Sequence, residues 1–378
     1  MQTPLGAVEG IPGALTLACA RVLNGEGGQS ATPAWVTIAD GRIVATGSGP
    51  APPGAVGLGD ALVAPGFVDL QVNGTGPVDF ATAPVEQIIH AVDALVAGGT
   101  TGLLLTICSA PLDTYTVVLE RAAQARRARP DAVLGVHLEG PFLGGAPGAH
   151  PTEVLRRADL AFLRGVIDTF GDLVRVVTLA PEADPDLAAT RTLVEHAVVV
   201  ALGHSTVDFD GARAAADAGA TMVTHLFNGM GPMHHRRPGL AGAALDDPRL
   251  VPSVIADFVH VHPALVKLAL HARADAVLVT DAVATELPVV ERGGAAYLRD
   301  GTLAGSTLTM DAVLRNVASL GVPVARGARH TGANPARVLG LHDRGRVAPG
   351  ARADLVALDP NTLAVRAVWA GGVPVPTA

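Results

Sequence analysis

The stretch ALGHSTVDFDGARAAADAGATMVTHLFNGM, residues 201–230, decides the fold. An apolar run, residues 198–202, leads to His204, and small residues with helical periodicity follow. A second apolar run, residues 220–224, leads to His225. In a right-handed βαβ unit, both histidines lie on the same side of a parallel sheet. The pattern therefore predicts a parallel α/β fold with two imidazoles at the edge where such folds place their chemistry.

The same alternation of apolar runs and helical segments continues on both sides of this unit. Eight apolar runs predict parallel strands at 61–70, 101–106, 132–138, 174–179, 198–202, 220–224, 252–256 and 276–280. Helical segments between them include 84–97, 113–128, 186–196, 208–218 and 263–272. Alternating strands and helices are typical of βαβ units, and eight repeats predict a (β/α)8 TIM-like barrel. A hairpin-like insertion at 288–303 then precedes a helix at 309–319.

The two ends of the chain have strand patterns without interleaved helices. Residues 14–23 and 35–47 look like strands, with Asp40-Gly41 as a hairpin turn, and strand pattern returns after Gly345. We expect these flanks to pair into a small β-sandwich. The predicted domains are 1–58 for the N-terminal part of the sandwich, 59–342 for the barrel and 343–378 for the C-terminal part.

The composition excludes several classes of protein. The 378 residues are 49% hydrophobic and 16% charged, with a net charge of -8 and no basic run, so nucleic acid is not an expected partner. Cys19 and Cys108 are too few for a disulfide framework, which favours a reducing compartment. The first residues, MQTPLGAVEGIPGA, lack the pattern of a signal peptide, and no apolar stretch approaches the roughly 20 residues of a membrane helix. We therefore expect a cytoplasmic protein without membrane contact.

Polar side chains follow six of the predicted strands, at the point where each strand ends. They are Gln71 and Asn73, His137 and Glu139, His204, His225, Asp257 to His260, and Asp281. Because the carboxyl ends of barrel strands open on one mouth, we expect these residues to lie together. Glu139, His204 and His225 form a carboxylate-and-two-imidazole set that leaves a position for water, as in hydrolytic metal sites. Zinc is the first expectation, with iron, cobalt and manganese as alternatives.

A further carboxylate at this mouth has a natural catalytic role. Asp281 can take a proton from water activated by the metal and later return it to a leaving group. Taken alone, Asp281 could cap the next segment and Glu139 could be an ordinary loop residue. We prefer the catalytic interpretation because suitable residues follow six separate strands. Other histidines lack such a placement and are interpreted as structural: His90, His196, His271, His330 and His342.

Several segments of the sequence resemble the amidohydrolase superfamily and, within it, the N-acetylglucosamine-6-phosphate deacetylases. They include PGFVDLQVNG (65–74), GVHLEGPFL (135–143), ALGHS (201–205), THLFNGM (224–230), LVTDA (278–282) and LAGSTLTM (303–310). The superfamily usually has His-x-His after the first strand, where this sequence has Gln71-Val72-Asn73. Amide side chains are poor metal ligands, so the resemblance implies one metal ion per subunit rather than two.

The resemblance implies an activity and a role for each matching residue. The activity is hydrolysis of N-acetyl-D-glucosamine 6-phosphate to D-glucosamine 6-phosphate and acetate, in amino-sugar catabolism and recycling. Glu139, His204 and His225 would be the metal ligands, and Asp281 would be the general base and then the general acid. The substrate-binding residues would be Ala149, His150, Asn228, Gly229, Arg236, His260, Leu303, Ala304 and Gly305. In this scheme His150 contacts the acetamide carbonyl, and Arg236 reaches the neighbouring active site of a homodimer to bind phosphate.

Two other functions stay open at this point. One is a related single-metal amidohydrolase that acts on N-acetylgalactosamine 6-phosphate or another N-acyl sugar. The other is a catalytically inactive barrel that binds a sugar phosphate. The ratio of kcat/KM for the two epimers distinguishes the first function from hydrolysis of the glucosamine derivative. Release of acetate excludes the second function. Arg236 and Arg237 could also be a plain surface pair, because exposed arginines are common.

Overall fold

The computed structural model describes residues 13–285 and 289–376. Predictions that fall on residues 1–12, 286–288 and 377–378, including the absence of a signal peptide and the first residue of the predicted insertion, lie outside the described residues. The chain forms two compact units. One contains the described residues of Met1–Val68, Asp93–Gly102 and Thr309–Ala378, and the other contains those of Asp69–Val92 and Leu103–Leu308. The predicted domain boundaries after residues 58 and 342 stay predictions.

The secondary structure alternates strands and helices through the middle of the chain. The strands are β1 Leu15–Cys19, β2 Arg21–Val22, β3 Ala34–Ala39, β4 Arg42–Ser48, β5 Val56–Gly57, β6 Leu62–Pro65, β7 Phe67–Val72, β8 Gly74–Thr75, β9 Val78–Asp79, β10 Thr100–Cys108, β11 Val133–Glu139, β12 Val174–Leu179, β13 Val199–Leu202, β14 Met222–Val223, β15 Val251–Ile255, β16 Val277–Val279, β17 Val290–Arg292, β18 Ala295–Tyr297, β19 Leu303–Ser306, β20 Leu355–Leu358, β21 Val365–Ala370 and β22 Val373–Val375. The α-helices are α1 Val85–Ala97, α2 Tyr115–Ala128, α3 Leu160–Phe170, α4 Ala188–Glu195, α5 Phe209–Asp217, α6 Gly239–Asp246, α7 Pro263–Ala272, α8 Met310–Ser319, α9 Val324–Ala328 and α10 Asn334–Val338. No helix among the described residues is long and apolar enough to cross a membrane.

Eight strands form the central sheet, in the order β16-β15-β14-β13-β12-β11-β10-β7. The two ends of this sheet meet at a parallel bridge between Val72 and Ala282. Beside this bridge the amide of Asp281 donates to the carbonyl of Gln71 at 2.9 Å. Every residue of β11 is buried, as expected for a parallel strand covered on both faces. The predicted (β/α)8 TIM-like barrel is confirmed.

The first predicted strand, 61–70, is two strands that belong to different sheets. The strand is interrupted at Gly66, which lies between β6 and β7. A Cβ at Gly66 would lie 2.2 Å from Thr101 Oγ1, so a side chain does not fit where the side chain of Thr101 packs against this backbone. β7 continues into the barrel, whereas β6 pairs with β20. A continuous apolar run does not reveal such a break.

The ends of the chain form two sheets, in the orders β4-β3-β1-β5 and β2-β6-β20-β21-β22. Their apolar side chains share one core, which contains Leu17, Val36, Val63, Leu355 and Trp369. The turn between β3 and β4 is the predicted one: Asp40 and Gly41 have φ values of 48° and 72°, as a type I′ hairpin requires. The predicted small β-sandwich is confirmed, with β6 as an additional strand.

Candidate active site

The predicted metal-binding side chains come from the carboxyl ends of three barrel strands, β11, β13 and β14. Glu139 is the last residue of β11, and His204 and His225 follow β13 and β14. His204, His225 and also Asp281, which follows β16, have positive φ values of 49°, 31° and 48°. Such backbone conformations cost about 1–3 kcal/mol each in non-glycine residues and are typical of functional sites. The turns at these strand ends therefore favour side-chain placement over local backbone stability.

The donor atoms of these three residues form a compact triangle. Glu139 Oε1 lies 3.1 Å from His204 Nε2 and 3.0 Å from His225 Nε2, and the two Nε2 atoms are 3.1 Å apart. Tetrahedral ligands about 2.0–2.1 Å from one zinc ion lie about 3.3 Å apart. All three side chains are buried. The triangle therefore has the size and the chemistry of a divalent-metal site.

A hydrogen bond and a packing contact outside the triangle orient the ring of His204. Its Nδ1 lies 3.1 Å from the carbonyl oxygen of Ala146. Because a carbonyl only accepts, Nδ1–H is the donor, and Nε2 can exchange a proton for a metal ion. Gly229, at φ 56°, packs under this ring, where a Cβ would lie 2.7 Å from Nδ1. Glycine at this position therefore lets the ring reach Glu139.

The electrostatics of the cluster follow from its burial. Burial works against ionisation of Glu139, but hydrogen bonds with His204 and His225 outweigh it and lower the pKa of Glu139 well below its usual range. Burial, and then the negative charge of Glu139, raises the pKa of Asp281 to about 8. Asn73 Nδ2 donates to Asp281 Oδ1 at 2.8 Å. Two carboxyl groups with opposite pKa shifts at one site are suited to different roles.

A cavity of about 620 Å³ opens in front of this cluster. It is lined by every predicted site residue except one. The predicted residues that line it are Glu139, Ala149, His150, His204, His225, Asn228, Gly229, His260, Asp281, Leu303, Ala304 and Gly305. The strand-end rule predicted Glu139, His204, His225, His260 and Asp281 among these residues, and the family resemblance implied the others.

Arg236 is the predicted residue that does not line the cavity of its own chain. It is exposed, in a turn where the amide of Arg237 donates to the carbonyl of His234 at 2.9 Å. The prediction placed Arg236 in a neighbouring subunit's site, so an outward position in its own chain is what that prediction requires. Its role stays a prediction.

Two histidines of the cavity are held by neighbouring side chains. His260 Nδ1 lies 2.5 Å from Asp257 Oδ2, and both residues follow β15, the seventh barrel strand. His150 Nε2 lies 3.9 Å from Glu139 Oε2, which places the ring beside the metal-binding triangle. Burial, and then the positive charge of His204, lowers the pKa of His150 to about 3. The His150 ring is therefore neutral near pH 7.

Sequence reasoning missed Cys108 as a cavity residue and gave Asn73 no role. Cys108 is the last residue of β10, so the strand-end rule, applied to the second barrel strand as well, could have found it. Its thiol donates to Asn73 Oδ1 at 3.1 Å. Burial and then the charges of Glu139 and Asp281 raise the pKa of Cys108 well above its usual range. Cys108 is therefore a protonated donor that orients the amide of Asn73.

The sequence profile of the amidohydrolase family matches residues 62–375, which includes the whole barrel. The chain belongs to the amidohydrolase family. Amidohydrolases are metal-dependent, and in this chain Glu139, His204 and His225 are grouped closely enough to hold a metal ion. The metal-dependent character predicted from the strand ends is thus confirmed at the level of the family.

Individual amidohydrolases to which this chain is similar are deacetylases of amino-sugar phosphates. The N-acetylgalactosamine-6-phosphate deacetylase of Escherichia coli O157:H7 is 39% identical over 352 residues, covering 89% of this chain and 93% of that protein. The N-acetylglucosamine-6-phosphate deacetylase of Bos taurus is 36% identical over 341 residues, covering 83% of each. A variant of N-acetyl-D-glucosamine-6-phosphate deacetylase from Mycobacterium smegmatis, solved with N-acetyl-D-glucosamine-6-phosphate, is 38% identical with a TM-score of 0.90, covering 96% of this chain and 100% of that one.

Proposed function

We propose that this amidohydrolase is a deacetylase that hydrolyses N-acetyl-D-glucosamine 6-phosphate to D-glucosamine 6-phosphate and acetate. The observation that carries the proposal is the triangle of Glu139, His204 and His225, which lines one cavity with Asp281. Relatives that are 36% and 32% identical, from Bos taurus and Bacillus subtilis, are N-acetylglucosamine-6-phosphate deacetylases. The proposed activity thus agrees with both the chemistry of the cavity and the relatives.

Glu139, His204 and His225 would hold one divalent cation, with zinc as the first expectation. When bound, the cation would supply Lewis acidity, which polarises a carbonyl and lowers the pKa of water. Gln71 and Asn73 occupy the place of the superfamily's His-x-His, and Gln71 Nε2 donates to Glu139 Oε1 at 3.1 Å. The amide therefore helps to orient a ligand of this cation, which supports the expectation of one cation per subunit.

Asp281 would move the proton during hydrolysis. Its carboxylate accepts a proton from the attacking water and then donates it to the amine nitrogen as the carbon–nitrogen bond breaks. Asn73 holds the carboxyl group in place through the hydrogen bond to Oδ1. Burial, and then the negative charge of Glu139, raises the pKa of Asp281 to about 8, and a ligated cation would offset the second of these causes. A pKa near neutrality suits a group that must both accept and return a proton.

The other cavity residues would bind the two ends of the substrate. We propose that His150 donates a hydrogen bond to the acetamide oxygen, where negative charge develops during attack. Asn228, Gly229 and His260 would bind the sugar phosphate, and Leu303–Gly305 of β19 would cover the sugar. A phosphate dianion requires charged donors, and among the described residues that line the cavity there is no lysine or arginine. Arg236 of the other subunit of a homodimer would supply this charge. We further propose that the enzyme is cytoplasmic.

A second candidate substrate is N-acetylgalactosamine 6-phosphate, because the relative from Escherichia coli O157:H7 with 39% identity is a deacetylase of that epimer. The test measures metal content and acetate release on both 6-phosphates and on the unphosphorylated sugars. We expect a higher kcat/KM for the glucosamine derivative and much lower values without phosphate. Preference for the galactosamine derivative would select the second candidate, and no acetate release from metal-loaded protein would overturn both.

A further inference from the structure

Ser109 contacts the cavity histidine His150 with two polar groups. It follows β10 and is 8% exposed. Its backbone amide donates to His150 Nδ1 at 3.3 Å, and its Oγ lies 2.8 Å from the same nitrogen. Neither Ser109 nor this contact was singled out by the sequence, because a serine after a strand carries no periodic signal.

The backbone amide and the hydroxyl of Ser109 together decide which nitrogen of His150 carries the hydrogen. An N–H group can only donate, so Nδ1 must present its lone pair to Ser109. The hydroxyl then donates to the same lone pair, and the hydrogen of the neutral ring lies on Nε2. With the hydrogen on Nδ1, two N–H groups would face each other and the buried amide of Ser109 would lose its acceptor.

The surroundings hold this arrangement in one orientation. Ser109 Oγ also lies 3.3 Å from the carbonyl oxygen of Glu139, but its one hydrogen goes to the closer acceptor, His150 Nδ1 at 2.8 Å. A Cβ on Gly140 would lie 2.2 Å from Ser109 Oγ, so the glycine leaves room for the hydroxyl. On the other side, the His150 ring packs edge-on against His204, with ring centres 4.4 Å apart.

We propose that Ser109 is a positioning residue that fixes His150 as the Nε2–H tautomer, with this N–H available to the acetamide oxygen of the substrate. The proposal rests on the proposed function of the cavity, and it adds the group that makes His150 a donor there. With the opposite tautomer, the Nε2 lone pair would face the developing negative charge and repel it. The contribution of Ser109 is therefore greatest in the transition state.

The kinetic test compares S109A with two other variants in zinc-loaded enzyme. S109A removes the hydroxyl donor, and we expect kcat to fall about 10- to 100-fold, as for other partners that orient site residues. KM and zinc content should stay near the wild-type values. S109T keeps a hydroxyl and should recover most of kcat. The matched control is T190V, which removes a buried hydroxyl that donates to Asp184 Oδ2 at 2.8 Å beside α4; its kcat should be unchanged.

A wild-type kcat in S109A, or an effect confined to KM, would overturn the proposal. So would an equal loss of kcat in T190V, because the loss would then reflect general destabilisation.

The direct test observes the tautomer without substrate. Long-range proton–nitrogen NMR spectra of zinc-loaded protein with ¹⁵N-labelled histidine distinguish the two neutral tautomers, and H150N identifies the His150 signals. We expect Nε2–H in the wild type and a mixture in S109A. A wild-type Nδ1–H tautomer would contradict the proposal. Because this readout needs no turnover, it separates failure of the positioning role from failure of the proposed deacetylase activity.

Discussion

Two clusters of buried charge differ in how their carboxyl groups are compensated. The strand-end cluster consists of Glu139, His204, His225 and Asp281. The sandwich cluster consists of Asp354, Arg344 and Arg352. Asp354 is 4% exposed, lies 2.9 Å from Arg344 and 3.0 Å from Arg352, and accepts the amide of Gly371 at 2.7 Å. Two arginines that are always charged therefore stabilise this carboxylate within the chain.

The strand-end cluster has two buried carboxyl groups and no such permanent cation. Its positive charge comes from imidazoles that can exchange protons for a metal ion, and it lines a cavity whereas Asp354 is enclosed by its partners. Buried charge that the chain neutralises permanently contributes to structure, whereas buried charge left for an external cation indicates a functional site. Variants of the two clusters should therefore separate activity from stability.

The largest effect on activity is expected from H225A. Loss of this imidazole removes one corner of the triangle, so zinc content should fall and activity should fall about 10⁴-fold, since Lewis-acid catalysis is worth several kcal/mol and about 1.4 kcal/mol is a factor of ten. H196A is the matched control, because His196 Nδ1 contacts the carbonyl of Thr192 within its own helical turn and His196 is not among the cavity residues. Metal analysis and acetate release measure both outcomes. Full zinc content in H225A would remove this residue from the ligand set.

The next largest effect is expected from D281N. The amide cannot accept or return a proton, so kcat should fall about 10³-fold while zinc content is retained. The change keeps the shape of the side chain, so unfolding by denaturant should be little affected. Near-normal turnover would exclude the proton-transfer role, and loss of zinc would indicate that Asp281 is a ligand.

A smaller effect, on substrate binding, is expected from R236A. Loss of one charged hydrogen bond to phosphate should raise KM about 10- to 100-fold with little change in kcat. Mixed dimers of R236A and D281N test the source of the arginine. If Arg236 acts across subunits, the site with an intact Asp281 receives Arg236 from the other chain, and low-KM activity returns. A mixture without low-KM activity would contradict that arrangement.

The smallest effect on activity is expected from D354N, which should act on stability. Removing the charge takes the carboxylate from the partly buried Arg344 and Arg352 and should lower the free energy of unfolding by about 3 kcal/mol. The control is E26Q, which breaks an exposed ion pair with Arg337 and should cost less than about 1 kcal/mol. Unfolding in urea and kcat of the folded protein are the measurements. A D354N variant that is fully stable but inactive would end the distinction between the clusters.

The residues at the strand ends could be predicted because parallel strands have a fixed direction. Because His204 and His225 follow successive predicted strands, the same rule points to the residues at the carboxyl ends of the other strands. Glu139 and Asp281 followed from this rule without any knowledge of distance in space.

The other features of the fold and of the site depend on contacts between residues distant in the sequence, which a sequence pattern does not reveal. The interruption between β6 and β7 lies at Gly66, where the side chain of Thr101 approaches closely, and no sequence pattern shows that contact. The hydrogen bonds of Ser109 with His150, and of Cys108 with Asn73, join residues that lie far apart in the sequence. Helix α3 begins where the Asp159 side chain accepts the amide of Phe162, after a long irregular loop, and the sequence pattern gives no bounds for a helix there.

The central claim is that one cation is bound by the strand-end cluster. Anomalous X-ray diffraction from crystals of the zinc-loaded protein, measured at the zinc absorption edge, tests it most directly. The account predicts one strong peak per chain, within bonding distance of Glu139, His204 Nε2 and His225 Nε2. A peak at other residues, or no peak in this cavity in fully loaded and active protein, would contradict it.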